Sequence, residues 1–161
     1  RQARWKQKLN YCLDTSAILT AWRRNYPPDV FPSVWSNIDA LIEQGNVVSP
    51  DEVLVELEKK DDEVYEWARQ RQGMFIPVDG QVQQVVRNIL SRYPRLVDTR
   101  RNRSGADPFV IALASIEGCT VVTNEGPSNN PARPHIPDVC QALHVPWIDL
   151  VQLARQQGWK I

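Results

Sequence analysis

The chain has 161 residues, 42% of them hydrophobic and 24% charged, which suits one globular domain with a sizeable core. Lys plus Arg and Asp plus Glu both number 19, so no net field holds a nucleic acid and any such binding needs a local patch. No apolar run reaches the roughly 18 residues of a membrane span, which predicts a chain with no membrane partner.

Arg1 to Lys8 is basic but is not followed by an apolar signal core. From Leu9 to Leu13 the pattern is a short apolar strand, ending in the acid Asp14 and the hydroxyls Thr15 and Ser16. Ala17 to Arg24 reads as a helix, broken by Tyr26-Pro27-Pro28-Asp29. A second helix runs from Pro32 to Gln44 on Val34, Trp35, Ile38, Leu41 and Ile42, and Gly45 stops it. Val47 and Val48 form a brief strand. Ser49-Pro50-Asp51-Glu52 then predicts a helix start, with Ser49 as cap, Pro50 in the first turn and Glu52 closing a capping box.

That helix breaks near Lys60-Asp61, another spans Asp62 to Arg71, and Met74 to Val78 is strand-like. Asp79 caps a helix from Val82 to Arg92, whose buried stripe is Val82, Val85, Val86, Ile89 and Leu90. Tyr93 to Ser104 is Arg-rich and aperiodic, hence a loop. Ala106 to Glu117 is an apolar helix ending at Gly118, and Thr120 to Thr123 is a buried strand. Gly126 to Pro134 is a surface loop, with three prolines and three Asn or Ser residues. A helix from Pro137 to Leu143, a strand from Val145 to Ile148 and a helix from Leu150 to Gln157 complete the order, with Asp149 and Gln152 suited to cap the last.

Strands alternating with helices give an α/β fold, a parallel sheet covered by helices on both faces in a single domain over residues 1–161. With right-handed crossovers the carboxyl ends of the strands gather on one edge, where ligand sites of open parallel sheets lie. Asp14 falls at that edge, either as an ordinary helix cap or as part of a site. Cys12, Cys119 and Cys140 form no CxxC pair and read as reduced and structural, in a cytoplasmic protein. The six tryptophans read as helix-face core, with Trp22 or Trp35 the ones able to reach an interface.

Asp14, Glu56, Asp107 and Glu125 compete for a shared role at the edge, with no obvious lysine among them. Each has a bland alternative: Asp107-Pro108 as a helix start, Glu56 as a solvated face, Glu125 as a loop acid. Acids about 4 Å apart repel by about 1 to 4 kcal/mol per pair, and a hard divalent cation is the usual remedy. His135 and His144 read as structural or solvated.

Leu13-Asp14-Thr15-Ser16, Val55-Glu56-Leu57, Ala106-Asp107-Pro108-Phe109-Val110-Ile111-Ala112-Leu113-Ala114 and Val121-Val122-Thr123-Asn124-Glu125 together resemble the PIN-domain ribonucleases, of the toxin-type branch, over roughly residues 9 to 150. The resemblance implies a Rossmann-like three-layer sandwich and a metal-dependent endoribonuclease, the toxin of a toxin–antitoxin pair. Asp14, Glu56, Asp107 and Glu125 would then hold one or two Mg²⁺ or Mn²⁺ ions, with Thr15 or Ser16 orienting a carboxylate or water. The family usually has Asp where this chain has Glu125, and Asp138 in Ile136-Pro137-Asp138-Val139 competes for that place. RNA as substrate, a cognate antitoxin protein and a homodimer are the partners so implied. Arg92, Arg95, Arg100, Arg101 and Arg103 lead straight into Asp107, and are either a solvated run or a cationic flank for RNA. A phosphatase of the haloacid dehalogenase type is disfavoured, because Ser16 stands where its second acid belongs. A non-cleaving PIN-like module that binds RNA or a partner is the alternative.

Overall fold

The computed structural model describes residues 10–97 and 105–161. Five parallel strands lie in the order β3-β2-β1-β4-β5, with β1 Tyr11–Leu13, β2 Val47–Pro50, β3 Phe75–Ile76, β4 Thr120–Val122 and β5 Trp147–Ile148. The helices are α1 Thr15–Thr20, α2 Pro32–Glu43, α3 Asp51–Lys60, α4 Asp62–Arg69, α5 Gly80–Arg92, α6 Asp107–Glu117, α7 Ile136–Ala142 and α8 Leu150–Gln157. They flank the sheet in the three-layer α/β arrangement that alternating strands and helices predict.

β1 takes the centre of the sheet with a run that water does not reach: Tyr11 and Cys12 are wholly buried and Leu13 nearly so. The chain first builds outward from β1 to β2 and β3, then returns to the other side with β4 and β5. The order therefore reverses between β1 and β4, with Leu13 level with Val122. The carboxyl ends of those two strands flank the crevice in which ligands of such sheets bind. Asp14 follows one and Thr123 the other. The apolar helix α6 packs on β1 and β2, and Gly118, at φ +70°, closes it in the left-handed conformation glycine favours.

Three local expectations need correcting. Ser49 and Pro50 belong to β2 rather than to a helix start, because they pair with Phe75 and Ile76 of β3. Ser49 Oγ is spent on the Leu13 carbonyl at 2.7 Å, so no capping box forms and α3 starts at Asp51. The first helix begins at Thr15 and ends in a π-helical turn, Ala21–Asn25, in which Tyr26 N–H donates to the Ala21 carbonyl at 2.8 Å. Within the Arg-rich loop, Pro94–Leu96 is a 3₁₀ turn anchored by the fully buried Leu96. The three cysteines are buried and unbridged. Trp22, Trp35 and Trp67 pack together, with Trp22–Trp35 and Trp35–Trp67 edge to face at ring centroid distances of 4.9 and 5.2 Å, so Trp35 is core.

Candidate active site

At the end of β1, Asp14 is only 1% exposed. Its Oδ1 accepts from Ala17 N–H at 2.7 Å, so it does cap α1, and Ser16 Oγ–H lies 3.0 and 2.9 Å from its two oxygens. From across the crevice Thr123 Oγ1–H donates to Oδ2 at 2.6 Å. Thr123 Oγ1 also accepts from Glu125 N–H at 3.1 Å, and Ser16 Oγ accepts from Asn124 N–H at 3.1 Å. Two short hydroxyl side chains thus stitch the ends of β1 and β4 together around one carboxylate. Thr15 Oγ1 is buried and makes no hydrogen bond among the described residues, so Ser16 and Thr123 are the hydroxyls on Asp14.

Burial pushes the Asp14 carboxyl up to about 7. The bonds from Thr123, Ala17 and Ser16 pull it down, and the charge of Glu125 pushes it up again. Burial outweighs the three donors, so the carboxyl resists ionising; a cation beside it would favour the anion, and carboxylate and hydroxyl oxygens suit a hard one.

Glu125 accepts from Ile136 N–H at 3.1 Å through Oε2, which ties it to the start of α7. Glu56 Oε1 accepts from Ala106 N–H at 3.0 Å, the residue before Asp107. Contrary to expectation a lysine is present: Lys60 Nζ lies 3.4 Å from Glu56 Oε2, one helical turn on. Asp107 is 4% exposed, in the first turn of α6. Glu125 bears on Asp14 by its charge at the crevice, and Glu56 holds the residue before Asp107. Among the described residues, no three acid, histidine or cysteine side chains stand close enough to share one ion.

Asp138 is tied to backbone amides instead. Its Oδ2 accepts from His135 N–H at 2.7 Å and Ser128 N–H at 2.9 Å, and Oδ1 from Asn129 N–H at 3.4 Å. Burial pushes its carboxyl up, but the His135 and Ser128 bonds outweigh that and hold it below the usual carboxylate range. His135 Nδ1 meets the Gly126 carbonyl at 2.9 Å, so that histidine is structural. Arg95 is exposed at the 3₁₀ turn, whereas Arg100, Arg101 and Arg103 lie outside the described residues, as do the basic residues Arg1 to Lys8. Thr123 is the functional residue that sequence reasoning passes over. Its signal is position: the first polar residue after the buried strand Val121-Val122.

The family described as "Domain of unknown function (DUF4411)" matches residues 11–161. No curated protein matches the chain. Among solved structures, FitAcB from Neisseria gonorrhoeae is similar at 19% identity and a TM-score of 0.51, over 86% of this chain and 96% of that one. VapBC2 from Rickettsia felis, bound to a DNA fragment from their promoter, is similar at 15% identity and a TM-score of 0.51, over 88% of this chain and 98% of that one. At such identities the likeness establishes the fold. No helix among the described residues is long and apolar enough to cross a membrane.

Proposed function

Since the chain belongs to the DUF4411 family and has a PIN-like fold, we propose that it is a divalent-metal-dependent endoribonuclease whose site is built on Asp14. One observation carries the reading: Asp14 is buried and oriented by three donors at the sheet's switch point, where burial holds its carboxyl near neutrality and Glu125 adds a second acid. Asp14 and Glu125, with Asp107 and Glu56 from α6 and α3, would hold Mg²⁺ or Mn²⁺. When bound, such an ion lowers the pKa of water and offsets charge growing on phosphoryl oxygens.

Hydrolysis joins a water oxygen to phosphorus as one ester P–O bond breaks, and the departing oxygen takes up a proton. Thr123 and Ser16 hold the Asp14 oxygens in one orientation, so the charge they present does not wander. Glu56, fixed by Ala106 N–H and Lys60, sets where α6 starts and therefore where Asp107 sits. Glu125 rather than Asp138 is the fourth acid, because Asp138 is committed to backbone amides. The toxin role, the antitoxin partner and the homodimer rest on the sequence resemblance.

That no three such side chains among the described residues stand close enough to share one ion favours a second reading, a PIN-like module that binds RNA without cutting it. Incubating the pure protein with labelled RNA in Mn²⁺, Mg²⁺ or EDTA, beside Asp14→Asn, decides between them. Cleavage with metal that EDTA and Asp14→Asn both abolish supports the enzyme. Equal fragments from Asp14→Asn end it, and RNA binding with no cleavage leaves the module.

A further inference from the structure

A second concavity lies away from Asp14, between the end of α5 and the 126–135 loop. It encloses about 490 Å³ and is lined by Arg92, Tyr93, Arg95 and, across the gap, Asn130 to Pro134 with Arg133. All three arginines are exposed, and none forms an ion pair with a described residue. Both walls are firm. Leu96 and Pro134, each next to one of these arginines, are buried. Arg133 N–H donates to the Asn130 carbonyl at 2.9 Å and Ala132 N–H to Asn130 Oδ1 at 3.0 Å. Asp138 and His135 then close the loop at its base.

We propose that this groove binds the sugar-phosphate backbone of single-stranded RNA through Arg92, Arg95 and Arg133, and that Asp138 is the positioning residue holding the loop that carries Arg133. The proposal rests on the ribonuclease reading for the identity of the strand. Three guanidinium forks with no described carboxylate to answer them match a row of phosphates. Tyr93 also lines the groove, with Arg92 over its ring at 5.4 Å, and an aromatic beside cations suits unpaired bases. A single strand suits it better than a duplex, because its unpaired bases can stack on an aromatic ring. The 126–135 loop that forms one wall follows Glu125 directly in the chain. Asp138 thereby gains a task that fits its hydrogen bonds better than ligating a metal.

The test is fluorescence titration of a labelled 20-mer RNA in EDTA, at several salt concentrations, so that binding is read apart from cleavage. Arg95→Ala with Arg133→Ala should weaken binding about tenfold per arginine, the scale of a charge-assisted hydrogen bond. The log K against log salt slope should fall in magnitude by about 0.7 for each phosphate that the variant no longer neutralises. An unchanged affinity and slope overturns the groove, as does equal competition by a duplex or by a polyglutamate peptide. Asp138→Ala should weaken binding and, in Mn²⁺, raise KM while kcat holds, with Asp138→Asn recovering part of the loss. A fall in kcat with binding intact overturns the positioning role, and if the alanine variant does not fold, the asparagine variant decides alone. A parent protein that binds with this slope but never cuts keeps the groove and ends the ribonuclease reading. One that cuts while the arginine variants bind normally does the reverse.

Discussion

The end of β1 and the first turn of α7 each present an aspartate that accepts several hydrogen bonds, yet the two respond in opposite directions. Asp14 is pushed up to about 7, while Asp138 is held below the ordinary carboxylate range. The number of donors does not separate them. Burial does, together with neighbours: Asp14 is almost wholly enclosed and faces Glu125, whereas Asp138 is half-buried and faces three backbone amides. A carboxylate content with its amides is a piece of architecture. One enclosed as Asp14 is resists ionising whatever its donors supply.

The sharpest way to break that contrast is Asp14→Asn. It should abolish cleavage in Mn²⁺ and, in EDTA at pH 8, melt no lower than the parent. The sign follows from linkage: an unfolded Asp ionises near 4, so between roughly pH 4 and pH 7 the folded chain keeps a proton that the unfolded chain has released. Stability therefore falls as pH rises through that window, by up to about 4 kcal/mol when ionisation is complete. The benefit of Asn should fade toward pH 4, and calorimetry across pH in EDTA checks it. A variant melting well below the parent at pH 8 would make Asp14 a plain cap.

Next in size is Thr123→Val, which keeps the volume and deletes the 2.6 Å bond to Asp14. Activity should drop about 10- to 100-fold, as for other partners that orient ligands. Because the lost bond favoured the anion, the acid limb of the pH–rate profile should move to higher pH. Glu125→Gln against Asp138→Asn then sharpens the contrast: the first should lower kcat, the second chiefly raise KM, in assays at matched Mn²⁺. Glu125→Gln should also move the acid limb to lower pH, since it removes a charge that opposes Asp14. Smallest is Asp79→Ala, an aspartate that only caps, with Oδ1 accepting from Val82 N–H at 2.8 Å. It should cost about 1 kcal/mol by urea denaturation and show none of the pH response expected at Asp14.

Much of this is legible in the sequence because it is periodic or local. The stripe Val82, Val86, Ile89 marks α5, Asp149 and Gln152 form the expected capping box, and Gly118 ends α6. Ser49 misleads because Ser-Pro-Asp-Glu has good local cap chemistry, but pairing with β3 and a bond to Leu13 outweigh it. The π-helical turn at Ala21–Asn25 leaves no mark in the hydrophobic pattern. At the site, the acids can be named from the sequence but not grouped. The bond from Ala106 to Glu56 spans fifty residues, and the one from Thr123 to Asp14 more than a hundred, distances over which spacing carries no information. Asp138 sits close to Glu125 in sequence, and only the amides of Ser128, Asn129 and His135 give it a different duty.

The loop from Gly126 to His135 has one more consequence. Its two ends are joined by His135 to Gly126 and by Ile136 to Glu125, and Asp138 pins Ser128 and Asn129 just inside them, so its span is fixed at the neck. Closing a longer loop at a fixed neck costs little, since each doubling adds only about 0.6 kcal/mol. The segment is therefore an exchangeable cassette. Residues inserted or swapped at its tip, near Pro131-Ala132, would reshape the groove wall while the strand ends and the carboxylates behind the neck keep their places.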